Sequence, residues 1–147
     1  MISIYDGKPT LMIRFANERH NMISSATVRL WIFRNEASQE GHSFRRFSEL
    51  ALIQNETPVL ALIWTIFHVI DENSPFYGLS TEQLSASTAN LIVLVSGYDE
   101  VAAQTVHGRK IYFVKDIRHG HRYANIASAS ESRVKIDYGR FHETQQE

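Results

Sequence analysis

The sequence contains no cysteine, which excludes disulfides, thiol catalysis and cysteine-ligated zinc and agrees with a reducing compartment. It has three prolines and seven glycines, too few for a collagen-like or low-complexity chain. Neither sign of charge dominates: fifteen Lys and Arg stand against sixteen Asp and Glu. A general nucleic-acid binder usually carries a basic surplus, so nucleic acid is not expected as a partner. Long apolar runs are missing as well. The longest uncharged one, Pro58–Ile70, is thirteen residues broken by Thr65 and His68. A membrane-spanning helix needs about 20, so this stretch reads as a buried element and the chain as soluble. Met1–Pro9 lacks the basic start and apolar core of a secretory signal.

What is present describes one domain with a sizeable core. The chain has 147 residues, 44% of them hydrophobic and 21% charged. A domain of that length buries roughly 68–70% of the surface its unfolded chain exposes. Most of the sequence alternates with period two, the mark of strands with one buried face. In Thr10–Asn17, Leu11, Ile13 and Phe15 share one face, with Met12, Arg14 and Ala16 opposite. In Ala26–Phe33, Ala26, Val28, Leu30 and Ile32 face together, with Thr27 and Arg29 opposite. Val59–Ile70 suits one long buried strand or two shorter ones, and Leu91–Val95 a central strand. Lys110–Ile117 and Arg133–Tyr138 alternate again, the latter with Val134, Ile136 and Tyr138 together. Trp31 and Trp64 sit in apolar patterns and are expected in the core.

Turn residues are frequent: Asp6-Gly7, Glu40-Gly41, Asn73-Ser74-Pro75, Tyr77-Gly78, Ser96-Gly97, His107-Gly108 and His119-Gly120. Short strands at such spacing suggest a sandwich or barrel. Ser80-Thr81-Glu82-Gln83 has the form of a capping box and predicts one short helix with Ser80 as N-cap. The polar tail His142–Glu147 is expected to fray.

Chemistry-bearing clusters are weak. His119 and His121 would share a face of a strand and could meet one metal ion, but no spaced partner completes a ligand set, and a turn with a surface histidine is preferred. Adjacent carboxylates Asp71-Glu72 and Asp99-Glu100 point to opposite faces of a strand. No G-x-S-x-G, P-loop or G-x-G-x-x-G occurs, so no enzyme activity is expected. Arginine outnumbers lysine eleven to four, a bias consistent with subunit contacts. On these grounds alone the chain is an all-β binding or assembly module.

Ordered motifs along nearly the whole chain carry more. They run from Lys8-Pro9-Thr10-Leu11-Met12-Ile13-Arg14 and Ala16-Asn17-Glu18-Arg19 through Glu40-Gly41 and Phe44-Arg45-Arg46. Trp64-Thr65, His68 and Ile70-Asp71-Glu72-Asn73-Ser74-Pro75 follow, then Gly97, Asp99-Glu100, Thr105-Val106-His107 and Arg109. Gly120-His121-Arg122-Tyr123 and Asp137-Tyr138-Gly139-Arg140-Phe141-His142 close the series. In this order they resemble the cytoplasmic C-terminal domain of inward-rectifier potassium channels, especially the prokaryotic members.

The resemblance implies an immunoglobulin-like β-sandwich with one or two short helices, assembled as a homotetrameric ring. Residues 1–147 then form a single gating domain on the cytoplasmic face of the cell membrane, excised from a channel whose transmembrane pore is absent here. Met1–Pro9 is expected to lead from that pore. Heterologous contacts set one face of each subunit against a different face of the next. Ser25 and Ser96 match positions where rectifying animal channels carry acidic side chains, so strong voltage-dependent block is not expected. Ser96–Ala103 matches the loop that narrows the pore, making Ser25, Ser96, Gly97, Tyr98, Ala102 and Ala103 the pore-lining candidates. Arg19, Glu100, His107 and Arg109 are the subunit-interface and gating candidates, and Lys8 and Arg19 the lipid-facing ones. No cofactor is implied beyond permeant potassium, with magnesium, polyamine and phosphoinositide headgroups as modulators. The alternatives are a generic immunoglobulin-like interaction module and a metal-dependent enzyme built on His119 and His121.

Overall fold

The computed structural model describes residues 1–19, 21–130 and 133–146. Its strands are β1 (Ile2–Tyr5), β2 (Lys8–Ala16), β3 (Ile23–Ala37), β4 (Ser43–Leu50), β5 (Glu56–Leu60) and β6 (Ile63–Val69). After helix α1 (Thr81–Ser85) come β7 (Asn90–Asp99), β8 (Gln104–Phe113), β9 (His121–Tyr123), β10 (Ala127–Ser130), β11 (Arg133–Ile136) and β12 (Thr144–Gln146). All strand pairings are antiparallel. A three-stranded sheet has the order β1-β2-β6, and a five-stranded one runs β4-β3-β7-β8 with β5 on the free half of β3.

The alternation places the core between these sheets. Leu11, Ile13 and Ile66 of the smaller sheet pack with Val28, Leu30, Ile32, Leu91 and Val93 of the larger. This is the all-β sandwich that the resemblance implies. Val59–Ile70 resolves into β5 and β6, because the chain turns at Ala61-Leu62.

Local signals act as their chemistry dictates. Asp6 (φ 49°) and Gly7 (φ 75°) make the two-residue turn joining β1 to β2, where both central residues must enter the left-handed region. The Ser80 hydroxyl accepts from the Gln83 amide while the Gln83 side chain accepts from the Ser80 amide, the reciprocal cap that starts α1. His68 is buried, with Nδ1 2.7 Å from the Ala51 carbonyl and Nε2 2.9 Å from the Ser74 hydroxyl. An N–H on Nδ1 and an acceptor at Nε2 satisfy both contacts, tying β6 to the turn after it. Burial pushes this imidazole below its usual pKa, opposed by the Ala51 carbonyl and Asp71.

Several expectations change. Met1–Pro9 is structured: it contains β1 and the start of β2. Ser96-Gly97 and His107-Gly108 lie inside paired strands and not in turns. The strand expected at Lys110–Ile117 begins at Gln104 and ends at Phe113, where a 3-10 turn over Val114–Asp116 follows and Val114 drops into the core. Tyr138 leaves β11 for a second 3-10 turn, Tyr138–Arg140, so it cannot share a strand face with Val134 and Ile136. The tail is not frayed: Thr144–Gln146 pairs with β9, while Glu147 lies outside the described residues. Trp64 is half-buried and touches both core clusters. Trp31 stands on the outward face of the larger sheet beneath Arg29, whose guanidinium carbon is 4.7 Å from the ring centroid.

Arg14 is the largest departure. Alternation assigned it and Met12 to a solvent face, yet both are buried. The chain after Ile117 returns over that face of the smaller sheet. Tyr123 and Phe141 stack on the guanidinium at 4.3 and 4.9 Å, and the Ala124 and Phe141 carbonyls accept its N–H groups.

Candidate pore-lining and subunit-contact site

The site begins with an irregularity in β3. Ser24 pairs with Tyr98 of β7 and Thr27 with Ser96, so two residues, Ser25 and Ala26, fit where one would in a regular ladder. Ser25 takes the extra turn with φ 48° and stays exposed, and Ala26 is fully buried. Such a bulge re-aims one side chain without disturbing the alternation beyond it. Opposite the bulge sits Gly97. A Cβ there would lie 2.4 Å from Ile23 Cγ2 and 3.2 Å from both Ala26 Cα and the Ser24 carbonyl oxygen. Gly97 therefore permits a close approach between β7 and the bulged part of β3. Gly97 is buried, which removes it from the exposed candidates.

Ser25, Ser96, Tyr98, Ala102 and Ala103 do gather at this end of the larger sheet. Ser96 and Tyr98 alternate onto its outward face. Thr27 and Ser96 hydroxyls lie 2.8 Å apart, and Tyr98 is 44% exposed. The loop itself is shorter than the span Ser96–Ala103: β7 runs to Asp99 and β8 starts at Gln104. Residues 100–103 form the turn, with Ala103 at φ 53°.

Asp99 builds that turn. Its carboxylate is buried; Oδ1 accepts the Val101 and Ala102 amides at 3.0 Å each, and the Asn21 side-chain amide donates to Oδ2. Arg19 lies 3.9 Å away. The Ala102 amide foremost, then Asn21, hold this carboxyl below its usual pKa. Asn17 orders the β2–β3 connection: its side-chain amide donates to the Asn21 and Leu60 carbonyls and its oxygen accepts the Arg19 amide. Asn17 and Asp99 fall in the family motifs, but their hydrogen bonding, like that of Asn21, has no sequence signal beyond the general turn-forming habit of Asn and Asp.

The interface candidates separate. Arg19 joins the Asp99 cluster. Glu100 is exposed on the turn, but Arg109 is five residues along β8 from Gln104, about 17 Å at ~3.4 Å per residue. Arg109 does not flank the turn, and no ion pair links it to Glu100 among the described residues. It points outward in a row with Arg29 and Leu94, while His107 shares the next row with Ser96 and Thr27. These two rows line a shallow depression of about 540 Å³. Beyond it, Ile111 and Phe113 of β8 are 45% and 54% exposed. Lys8 and Arg19 do not share a patch. Lys8 opens β2 and Arg19 follows its far end, with Lys8 to Ala16 alone spanning about 27 Å at ~3.4 Å per residue.

Fold and site together define a β-sandwich module with one elaborated sheet end, a pinned turn and an uncovered apolar-and-basic sheet face. Residues 1–147 match the family model described as the inward rectifier potassium channel C-terminal domain, and the chain belongs to that family. It is 42% identical over 147 residues to the inward rectifier potassium channel Kirbac3.1 of Paramagnetospirillum magnetotacticum, covering 99% of this chain and 50% of the relative. It is 34% identical to human inward rectifier potassium channel 4, covering 98% and 33%. Against bovine G protein-activated inward rectifier potassium channel 1 the identity is 34%, covering 98% and 30%. The chain thus spans half or less of the length of these relatives. Among the described residues no helix is long and apolar enough to cross a membrane.

Proposed function

We propose that this domain is the cytoplasmic regulatory part of an inward-rectifier potassium channel. Four copies form a ring that lengthens the ion path beyond the membrane pore and gates it. The observation that carries this reading is the gathering of Ser25, Ser96, Tyr98, Ala102 and Ala103 at one sheet end beside a turn fixed by Asp99. The same reading gives the uncovered face a use. Glu100 and Arg109 lie on different surfaces of one subunit, as a cyclic heterologous contact requires. Glu100 of one copy meets the Arg29, His107 and Arg109 rows of the next. Potassium is the permeant ion, and magnesium and polyamine act from the pore. An anionic lipid headgroup acts through Arg19, which reaches the turn by way of Asp99, rather than through Lys8 at the other end of β2.

The domain has no cysteine of its own, so each thiol introduced into it is the domain's only one. In a channel carrying this domain, Ser25→Cys and Ser96→Cys each add one thiol per subunit. A cationic thiol reagent should modify both and reduce potassium current, whereas Glu82→Cys on α1 should leave current unchanged. Ser25→Asp and Ser96→Glu should deepen block by internal polyamine, since each adds four negative charges to the path. The deepening should fade as salt rises, because charges are screened beyond about 8 Å at physiological ionic strength. If neither serine changes current or block while the channel still assembles, these residues do not line the path.

A further inference from the structure

The gating reading leaves residues 118–130 and 133–146 unused, yet they form a unit of their own. β9 pairs with β12 and β10 with β11, and neither pair joins a sandwich sheet. The unit is closed internally by the Ala124 amide on the Glu143 carbonyl, the Asp137 amide on the Ile126 carbonyl and an Arg140–Glu143 ion pair at 2.8 Å. Ala124 and Ile126 are buried, but outside both core clusters of the sandwich.

Its attachment to the smaller sheet is sparse. Among the described residues five hydrogen bonds cross the seam. Two are made by the backbone of Ile2, with Arg118 and Gly120. The other three belong to Arg14: its amide to the Tyr123 hydroxyl at 3.1 Å, and its guanidinium to the Ala124 carbonyl at 2.9 Å and to the Phe141 carbonyl. Arg14 as a whole is 6% exposed, with the rings of Tyr123 and Phe141 over its guanidinium. No carboxylate pairs with it among the described residues, and its Nε has no partner; Ser3 Oγ on the same sheet is also buried and unpaired. A buried charge held by neutral groups, with its own Nε left unpaired, favours states in which water returns. Desolvation accordingly lowers the Arg14 pKa.

We infer that residues 118–130 and 133–146 are a cover that opens as one piece about the Val114–Ile117 turn, and that Arg14 is the pin holding it shut. Closed, it buries the outward face of β2. Open, it exposes Arg14, Met12 and the ring of Tyr123 to whatever approaches that face, while the two-sheet core stays folded.

Hydrogen exchange on the whole chain tests this, read amide by amide. The Ala124 and Asp137 amides should exchange together, at least about tenfold faster than Leu91 and Val93 in the core, because sub-global openings lie below global unfolding. Arg14→Lys keeps the charge but loses the planar fork that reaches two carbonyls and stacks on two rings. It should speed exchange at Ala124 and Asp137 a further tenfold or so and leave Leu91 and Val93 unchanged. Tyr123→Phe removes one seam hydrogen bond and should act the same way, a few-fold only, which keeps the test open if Arg14→Lys does not fold. Equal exchange in cover and core, or equal acceleration of both by the variants, overturns the proposal.

Discussion

Arg14 and Arg29 occupy comparable places on the two sheets. Each projects from the outward face of a strand, and each guanidinium lies over an aromatic ring. Arg29 remains in solvent, paired through two hydrogen bonds with Glu49. Arg14 has been taken out of water by the chain's own C-terminal unit and has only carbonyls and rings for company. The difference lies in what covers each face. The outward face of the smaller sheet is closed by the same chain. That of the larger sheet is left open, with Ile111, Phe113, Leu94 and Tyr98 exposed beside Arg29 and Arg109. A fold that buries one outward face and leaves the other uncovered divides its surface into an intramolecular seam and an open face, the one the proposed ring would use.

The sharpest test of that contrast is removal of each arginine. Arg14→Ala strands the Ala124 and Phe141 carbonyls, and each buried group left unpaired costs about 1–3 kcal/mol, so chemical denaturation should show a loss of about 2–6 kcal/mol. Arg29→Ala should leave the denaturation midpoint unchanged, because exposed ion pairs contribute little. Equal losses would erase the distinction between the faces.

The two strand glycines of the larger sheet make a smaller comparison of the same kind. Gly97→Ala drives a methyl into Ile23 and the bulged backbone and should cost about 1–3 kcal/mol, the usual range for overpacking. Gly108→Ala meets nothing within 4 Å and should be neutral by the same measurement.

Acid should act next. His68 is held neutral in the folded state, with its pKa lowered by burial. The unfolded chain therefore takes up a proton first as pH falls below about 6.5. Stability is complete above that value and declines as pH drops towards the lower folded-state pKa; His68→Gln should flatten this part of the profile. Asp99 acts in the same direction at lower pH. Its contribution is present above the ordinary aspartate range and is lost only as pH falls below it, through the depressed folded-state value.

Smallest on stability, and largest on assembly, is Phe113→Ser. The exposed ring contributes little to one subunit's fold, so the unfolding midpoint should hold. In the proposed ring, light scattering on a channel carrying the domain should show weaker assembly. Unchanged assembly would remove Phe113 from the contact surface.

Much of this architecture was legible in the residues. Ala26, Val28, Leu30 and Ile32 announced a one-sided strand, and Ser80 with Gln83 announced the start of α1. What escaped reading depends on contacts distant in sequence. Arg14 alternates as a surface residue and is buried only because Tyr123 and Phe141, more than a hundred positions later, close over it. Gly97 looks like a turn glycine until the bulge at Ser25 is seen across from it. Asp99-Glu100 reads as a plain acidic pair, though one carboxylate is the knot of the turn and the other points to solvent. The ordered motifs identified the family, but spacing cannot tell which members of a motif share a surface. Lys8 and Arg19 belong to neighbouring motifs and stand at opposite ends of one strand.

The bulge at Ser25 also bears on how this domain can diverge. Because the extra residue absorbs the irregularity, the side chain at this position is decoupled from the hydrophobic register that Ala26, Val28 and Leu30 maintain. A left-handed φ is most easily kept by Gly, Asn or Asp and resisted by β-branched side chains. Position 25 can therefore exchange a hydroxyl for a carboxylate at little cost to folding, so the charge it presents can drift while the scaffold stays constant.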